Sequence, residues 1–269
     1  MSPVLGAFCR VAWYNNPMAK VDAIVLAGGT INDPEFKAAA GVDCKSLLIL
    51  NGKPMAHWVV QALESAESIR SVVVVGPEEL RNALDGATVL VEGCHEVENL
   101  TKGMDAMPDA ERILMVSGDM PLLSPRAIDD FVFNSPEADI VYPTIDKPAI
   151  MAEFPDRKWI FIRAKEGEFT GSSAVMFRPE VLRLHMDAMR KVLDARRSVG
   201  ALVQMWGIGF ALKFALGQLS LKDAENRISE VLNVNGRAYV SPYPELAFDV
   251  DHASDIRTAE DRLSRLSPA

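Results

Sequence analysis

This sequence predicts a three-layer α/β fold around a mostly parallel sheet, and three observations carry that prediction. Short apolar runs rich in β-branched residues recur at Val21 to Ala27, Ser71 to Val75, Thr88 to Val91 and Arg112 to Val116. Segments with helical spacing separate most of them. Three of the runs end in turns containing glycine: Gly28-Gly29, Gly76-Pro77 and Gly118-Asp119. Strands alternating with helices at this spacing form a parallel sheet covered on both faces, with the ligand crevice beyond the C-terminal strand ends. The Gly28-Gly29 and Gly118-Asp119 turns are therefore expected to meet in space, although some 90 residues of chain separate them.

The elements follow in order. A buried strand over Val21 to Ala27 feeds the glycine turn, and residues 30–44 have no regular pattern. Lys45 to Leu50 form a short segment closed by Asn51-Gly52-Lys53-Pro54, and a helix spans Met55 to Ala66. After the Ser71 to Val75 strand come a short helix at Glu78 to Leu84, the Thr88 strand and a helix at Glu98 to Met107. The Arg112 strand leads into Ser117-Gly118-Asp119-Met120-Pro121. Ser124 then caps a helix, with Pro125 in its first turn, that runs to about Phe133. Asp139 to Tyr142, Trp159 to Ile162 and Ser173 to Phe177 read as strands, and Pro179 to His185 begin a helix. Residues 198–216 are an apolar stretch interrupted by glycines, read as a packed helical hairpin or pocket wall, with membrane-surface contact as the alternative. A helix at Leu221 to Leu232, strands at Ala238 to Val240 and Phe248 to Asp251, and a closing helix at Ile256 to Leu266 complete the chain. Residues 1–19 form an N-terminal arm, and 20–269 form one domain with a helical insertion at about 180–232.

Composition narrows the function. The 269 residues are 49 % apolar and 24 % charged, as in ordinary globular proteins. With 28 Lys and Arg against 37 Asp and Glu the formal charge is −9, which argues against duplex nucleic acid as a partner. The three cysteines, Cys9, Cys44 and Cys94, are scattered, and so are the four histidines. Neither set makes a disulfide scaffold or a zinc knuckle, and a reducing cytoplasm fits. Residues 1–20 lack a basic segment followed by a clear apolar core, so they do not read as a signal peptide. No membrane span is expected. A homodimer is the ordinary expectation for assembly.

A few residues stand out chemically. Gly28 and Gly29 let backbone approach a ligand and offer amides to a phosphate, or they simply make a turn. The Walker A and GxGxxG patterns are absent. Lys45 either meets phosphate charge or lies in solvent. Asp119, directly after an apolar strand, suits Mg²⁺ held jointly with phosphates, or else caps a loop. Asp249 and Asp251 flank Val250, and in an extended segment residues i and i+2 share a face, so both carboxylates can address one site.

VLAGG, then Lys45, GKPM, GDMPL and finally DVD with TAED resemble, in family order, the nucleotidyltransferases of the cytidylyltransferase and molybdenum-cofactor guanylyltransferase type. The resemblance covers about residues 20–265. It implies a GT-A-like, Rossmann-like sandwich with a mostly parallel mixed sheet, and an enzyme that joins an NTP to a phosphorylated small-molecule acceptor with Mg²⁺, releasing pyrophosphate. By matching position it implies nucleotide contacts at Leu26, Ala27, Gly28, Gly29, Lys45, Gly93 and Asn99. It implies catalytic roles for Lys45, Asp119 and Asp251, metal ligands at Asp119 and Asp251 with Asp249 as the alternative, and an acceptor contact at Gly171. The arginine that usually follows the family's glycines is absent before Lys45, which leaves Lys37 as a substitute. A non-catalytic nucleotide sensor and a glycosyltransferase of the same fold are the competing readings.

Overall fold

The computed structural model describes residues 20–195 and 207–266, so the N-terminal arm and part of the apolar stretch lie outside the described residues. The sheet is built from β1 (Val21–Leu26), β4 (Ile69–Gly76), β5 (Thr88–Val91), β6 (Ile113–Ser117), β7 (Ile140–Asp146), β8 (Ile162–Ala164), β9 (Gly167–Gly171), β10 (Ala174–Phe177) and β11 (Gly236–Ser241). Its order is β5-β4-β1-β6-β10-β7-β9-β8, with β11 beside β7. β5, β4, β1 and β6 run parallel, as the alternating pattern predicts. From β10 onward the strands pair antiparallel, except β11, which is parallel to β7. The result is a Rossmann-like α/β sandwich with a mixed sheet. The change of direction follows from the connections: β8 and β9 are joined as a hairpin, with no helix to bring the chain back to the start of the next strand.

Helices cover both faces. α2 (Met55–Glu64) and α5 (Pro125–Asn134) pack on one, α4 (Glu96–Asp105), α8 (Met186–Ala195) and α10 (Leu221–Leu232) on the other. Ser124 accepts a hydrogen bond from the Ala127 amide and Pro125 opens the first turn, as its sequence predicts. β2 (Ile49–Leu50) and β3 (Lys53–Pro54) form a small hairpin whose turn residues Asn51 and Gly52 both have positive φ. α3 (Leu80–Ala83) and α7 (Pro179–Leu184) are short connectors.

Several local expectations are corrected. Residues 30–44 contain α1 (Pro34–Ala40), capped by Asp33 at one end and by Gly41 in the left-handed region at the other. α6 (Lys147–Glu153) and β9 escaped the sequence reading. Of the strand expected at Trp159 to Ile162 only Ile162 is in β8, because Trp159 turns back onto the Phe154 ring. Phe248 to Asp251 is not a strand. Phe248 and Val250 are fully buried, so the alternation is real, but among the described residues no neighbouring strand supplies a ladder. In the apolar stretch, α9 (Ile208–Ala215) and the residue after it leave Leu212, Phe214 and Leu216 exposed, so these three line no packed wall. Among the described residues no helix is long and apolar enough to cross a membrane.

A third, smaller core fixes the site. Ile31, Phe36, Leu48, Leu50, Met55, Phe248 and Val250 pack with Ala259 and Leu263 of the closing helix α11 (Ala253–Leu266). This cluster seats the 31–50 segment and the 248–252 arm beside the ends of β1 and β6. The joint between those strands is tight. The Gly118 amide donates to the Leu26 carbonyl at 2.8 Å, and a Cβ on Gly118 would lie 2.8 Å from the Ala27 Cα and 2.9 Å from its Cβ. Gly118→Ala is therefore expected to cost about 1–3 kcal/mol of unfolding free energy, because backbone rather than a flexible side-chain tip must yield. A urea melt of the two proteins measures it.

Candidate active site

The site lies at the C-terminal ends of β1 and β6, where three sequence-distant segments meet. The first is the glycine turn after β1. The Ala27 amide donates to Val75 and the Leu26 carbonyl accepts from Gly118, so these two backbone groups are committed to neighbouring segments. Gly29 has φ of 99°, which favours glycine, and its amide donates to the Glu92 carboxylate at 3.0 Å. An anionic oxygen thus already sits on this amide. It stands in for the kind of group, a phosphate or carbonyl oxygen, that such a turn can bind.

The second segment carries Lys45. Cys44 and Ser46, on either side, both donate to the Ala27 carbonyl, which pins this stretch to the glycine turn. Burial raises the Cys44 thiol above its ordinary value, so it is a packing group rather than a thiolate. Lys45 donates to Asp119 Oδ2 at 3.1 Å and to Asp251 Oδ1, and its ammonium lies 5.9 Å from the centre of the Phe36 ring. Burial disfavours the Lys45 charge, but Asp119 and then Asp251 outweigh it and hold the ammonium above the usual lysine value. Lys37, the suggested substitute for the missing arginine, pairs instead with Asp43 on the surface.

The third segment is the 248–252 arm. The Val250 amide donates to the Asp119 carbonyl at 2.9 Å, joining the arm to the loop after β6. The two arm carboxylates diverge. Asp251 faces Lys45. Burial pushes its carboxyl up, but the Lys45 hydrogen bond and charge prevail and hold it below the usual carboxylate value. Asp249 accepts from Arg157 at 3.0 Å and from Ser173 at 3.0 Å. Burial, with the Asp251 and Asp119 charges, raises Asp249 above its ordinary value despite Arg157. The structure therefore brings together Lys45, Asp119 and Asp251, and gives Asp249 different partners.

The donor set suits a hard divalent cation. Among the described residues no group of three or more His, Cys, Asp or Glu is gathered closely enough to cage a metal. Mg²⁺ does not require such a cage, since it is commonly held by one or two carboxylates plus substrate phosphates. The buried Asp119 Oδ1 has no hydrogen-bond partner among the described residues, and a cation, the Lys45 ammonium, already bridges Asp119 and Asp251. An unpartnered buried carboxylate oxygen is costly, and a metal or phosphate-bound cation would satisfy it.

The remaining expected residues lie around this centre. The buried Asn99 accepts a hydrogen bond from the Gly93 amide at 2.6 Å, and Glu98 accepts from Cys94 at 3.0 Å. Asn99 thus shapes the 93–94 turn from beneath. Gly171 ends β9, and a Cβ there would run into the Tyr142 hydroxyl, which itself donates to the Ser172 carbonyl at 2.7 Å. The next residue, Ser173, is the donor to Asp249, so this turn adjoins the arm. Sequence reasoning missed Glu92, Arg157 and Asp255. The groups that Glu92 and Arg157 meet lie far along the chain, and although Asp255 follows Asp251 closely, nothing in that spacing shows its pairing with Arg157, 98 residues away.

Known proteins resemble this chain in sequence and in fold. The family model for the MobA-like NTP transferase domain matches residues 23–201. A hypothetical transferase from Thermus thermophilus is 35 % identical, superposes with a TM-score of 0.79, and is matched over 88 % of this chain and 99 % of its own. A nucleotidyl transferase from Methanothermobacter shares the fold at a TM-score of 0.58 and 18 % identity, over 92 % of this chain and 99 % of its own. The 2-C-methyl-D-erythritol 4-phosphate cytidylyltransferase of Prochlorococcus marinus is 24 % identical over 135 residues, which is 44 % of this chain and 60 % of that enzyme. The chain thus spans less than two thirds of that curated relative. The family model takes in well over half of the chain, and with the glycine turn, Lys45 and Asp119 all inside the matched region, the chain belongs to the MobA-like NTP transferase family.

Proposed function

We propose that this protein is a Mg²⁺-dependent nucleotidyltransferase that moves an NMP from an NTP to a phosphorylated small-molecule acceptor and releases pyrophosphate. The observation that carries the reading is the meeting of Asp119, Lys45 and Asp251 at the ends of β1 and β6, with Asp119 Oδ1 buried and without a hydrogen-bond partner among the described residues. That is where an α/β sheet of this kind binds ligands.

In this reaction an acceptor phosphate oxygen attacks the α-phosphorus of the NTP in line. A new P–O bond forms, and the bond from the α-phosphorus to the bridging oxygen breaks. Pyrophosphate leaves with that electron pair. Mg²⁺ held by Asp119 and Asp251 would neutralise charge on the phosphates. The chain's own residues do the rest. The amides of Gly28 and Gly29 receive nucleotide oxygens once Glu92 yields the Gly29 amide. Lys45 turns its ammonium from the carboxylates to the transferred phosphate, where negative charge builds. Gly93 and Asn99 shape the nucleotide side, and Gly171 the acceptor side. The acceptor oxygen is already anionic, so neither a protein nucleophile nor a strong general base is required. The scattered placement of Cys9, Cys44 and Cys94 in the sequence fits a reducing, cytoplasmic setting.

The test is pyrophosphate release by the purified chain with Mg²⁺, each of CTP, GTP, UTP and ATP in turn, and pooled phosphorylated acceptors. Release that depends on one NTP and one acceptor pool supports the reading. Absence of both release and saturable NTP binding overturns it, and binding without release favours a nucleotide sensor.

A further inference from the structure

The arm that carries Asp251 has no regular secondary structure, yet its backbone is tied at successive residues. The Asp249 carbonyl accepts from Arg157 Nη2 at 2.8 Å. The Val250 amide donates to the Asp119 carbonyl at 2.9 Å. The Asp251 and His252 amides both donate to Asp255 Oδ2, at 3.1 and 3.0 Å. Asp255 is 3 % exposed and Arg157 12 %, and they form a two-point ion pair. Arg157 Nε donates to Oδ1 at 3.1 Å and Nη2 to Oδ2 at 3.3 Å. The guanidinium also lies against two rings, 4.4 Å from the centre of Trp159 and 5.0 Å from that of Phe248.

We propose that Arg157, acting through Asp255, is a positioning residue for the reaction: it fixes the backbone of Asp249 to His252 and so sets Asp251 opposite Asp119. The proposal rests on the nucleotidyltransferase reading for what Asp251 does, but not for how the arm is held.

The chemistry explains why an arginine is used. One side chain must donate to both oxygens of Asp255, to the Asp249 carbonyl and to the Asp249 carboxylate at 3.0 Å. It must also present a flat face to Trp159. A planar fork with five N–H donors does all of this, whereas a lysine has one compact head with three donors and no flat face. Asp255 then relays the constraint. Its Oδ2 takes the amides of the residue that faces Lys45 and of the next one, so any rotation of the ion pair moves Asp251 directly. A group that orients a ligand residue without touching the ligand is expected to alter metal affinity and turnover together, typically by about 10- to 100-fold.

The experiment uses the full chain and three readouts: Mn²⁺ binding by electron paramagnetic resonance without nucleotide, kcat and KM for the NTP, and amide hydrogen exchange. Arg157→Lys is expected to weaken Mn²⁺ binding and lower kcat, each by about 10- to 100-fold, with KM for the NTP little changed. Asp255→Asn keeps a carbonyl acceptor for the two amides and loses the ion pair, so it should show a smaller loss in the same direction. Arg157→Lys that melts cooperatively and keeps the Mn²⁺ affinity and kcat of the unsubstituted protein overturns the proposal. If both variants fail to fold, exchange in the unsubstituted protein decides: slow exchange at Asp251 and His252 supports the tether, and exchange as fast as in open loops overturns it. Should the unsubstituted protein neither bind Mn²⁺ nor release pyrophosphate, the nucleotidyltransferase reading fails, and the exchange measurement still decides how the arm is held.

Discussion

Asp119→Ala is expected to lower NTP-dependent pyrophosphate release on the order of a thousandfold while leaving the fold intact. The size follows from the role. Stabilisation of phosphate charge through a metal is a matter of several kcal/mol, and each ~1.4 kcal/mol lost from the transition state is a factor of ten. The fold should survive because Asp119 sits in a loop. Its structural contributions are backbone ones, since its carbonyl takes the Val250 amide and its neighbour Gly118 joins the loop to β1. The side chain reaches Lys45 through one oxygen and leaves the other unpartnered. Removing it relieves an unsatisfied acceptor and leaves Lys45 paired with Asp251. Pyrophosphate release and a thermal melt on the same preparation check both halves. Near-normal turnover would remove Asp119 from the mechanism, and the metal assignment with it.

Lys45→Met is expected to act in opposite directions on two measurements, and that makes it the more discriminating variant. Turnover should fall about a hundredfold, the cost of losing one preorganised donor to developing charge. Mn²⁺ binding without nucleotide should become tighter. In the free protein the ammonium sits 3.1 Å from Asp119 Oδ2 and also pairs with Asp251, so an incoming cation competes with a tethered one. At an effective dielectric of about 20, unit charges about 3 Å apart attract by about 5 kcal/mol before desolvation is counted. On the proposed function, displacing Lys45 would be a substantial part of the cost of loading a metal there. An NTP would lower that cost by offering the ammonium another anion, so metal and nucleotide are expected to enter together. Unchanged or weaker Mn²⁺ binding in Lys45→Met would show that the ammonium and the metal do not share these oxygens.

The sequence was most legible where a segment's fate is set by its own composition. β5 and α10 begin and end where their patterns predict, and β1, β4 and β6 do so within two residues, because β-branched runs and 3.6-residue spacing leave little alternative. The Ser124-Pro125 start of α5 was equally plain, since the cap is local chemistry. α1 was missed although Asp33, Pro34 and Gly41 punctuate it, because seven residues give too few turns for periodicity to register. The 248–251 arm shows the limit of pattern. Its alternation of buried Phe248 and Val250 with polar Asp249 and Asp251 is that of a strand, and it is an arm because no described strand lies beside it.

The same division applies to the site. By itself the sequence determined the sheet-and-helix architecture, the glycine turn, and Lys45, Asp119 and Asp251 as residues to watch, because each stands beside a strand end or in a motif of fixed order. Only the tertiary structure decided which carboxylate faces the lysine, that Glu92 reaches the Gly29 amide, and that Arg157 and Asp255 hold the arm. Those contacts join residues 63, 92 and 98 positions apart. Pairings at such separations leave no trace in local spacing. The Arg157 pairings form because the small core around Phe36, Phe248 and Val250 folds the 31–50 segment and the arm onto the ends of β1 and β6, where buried charges must find partners.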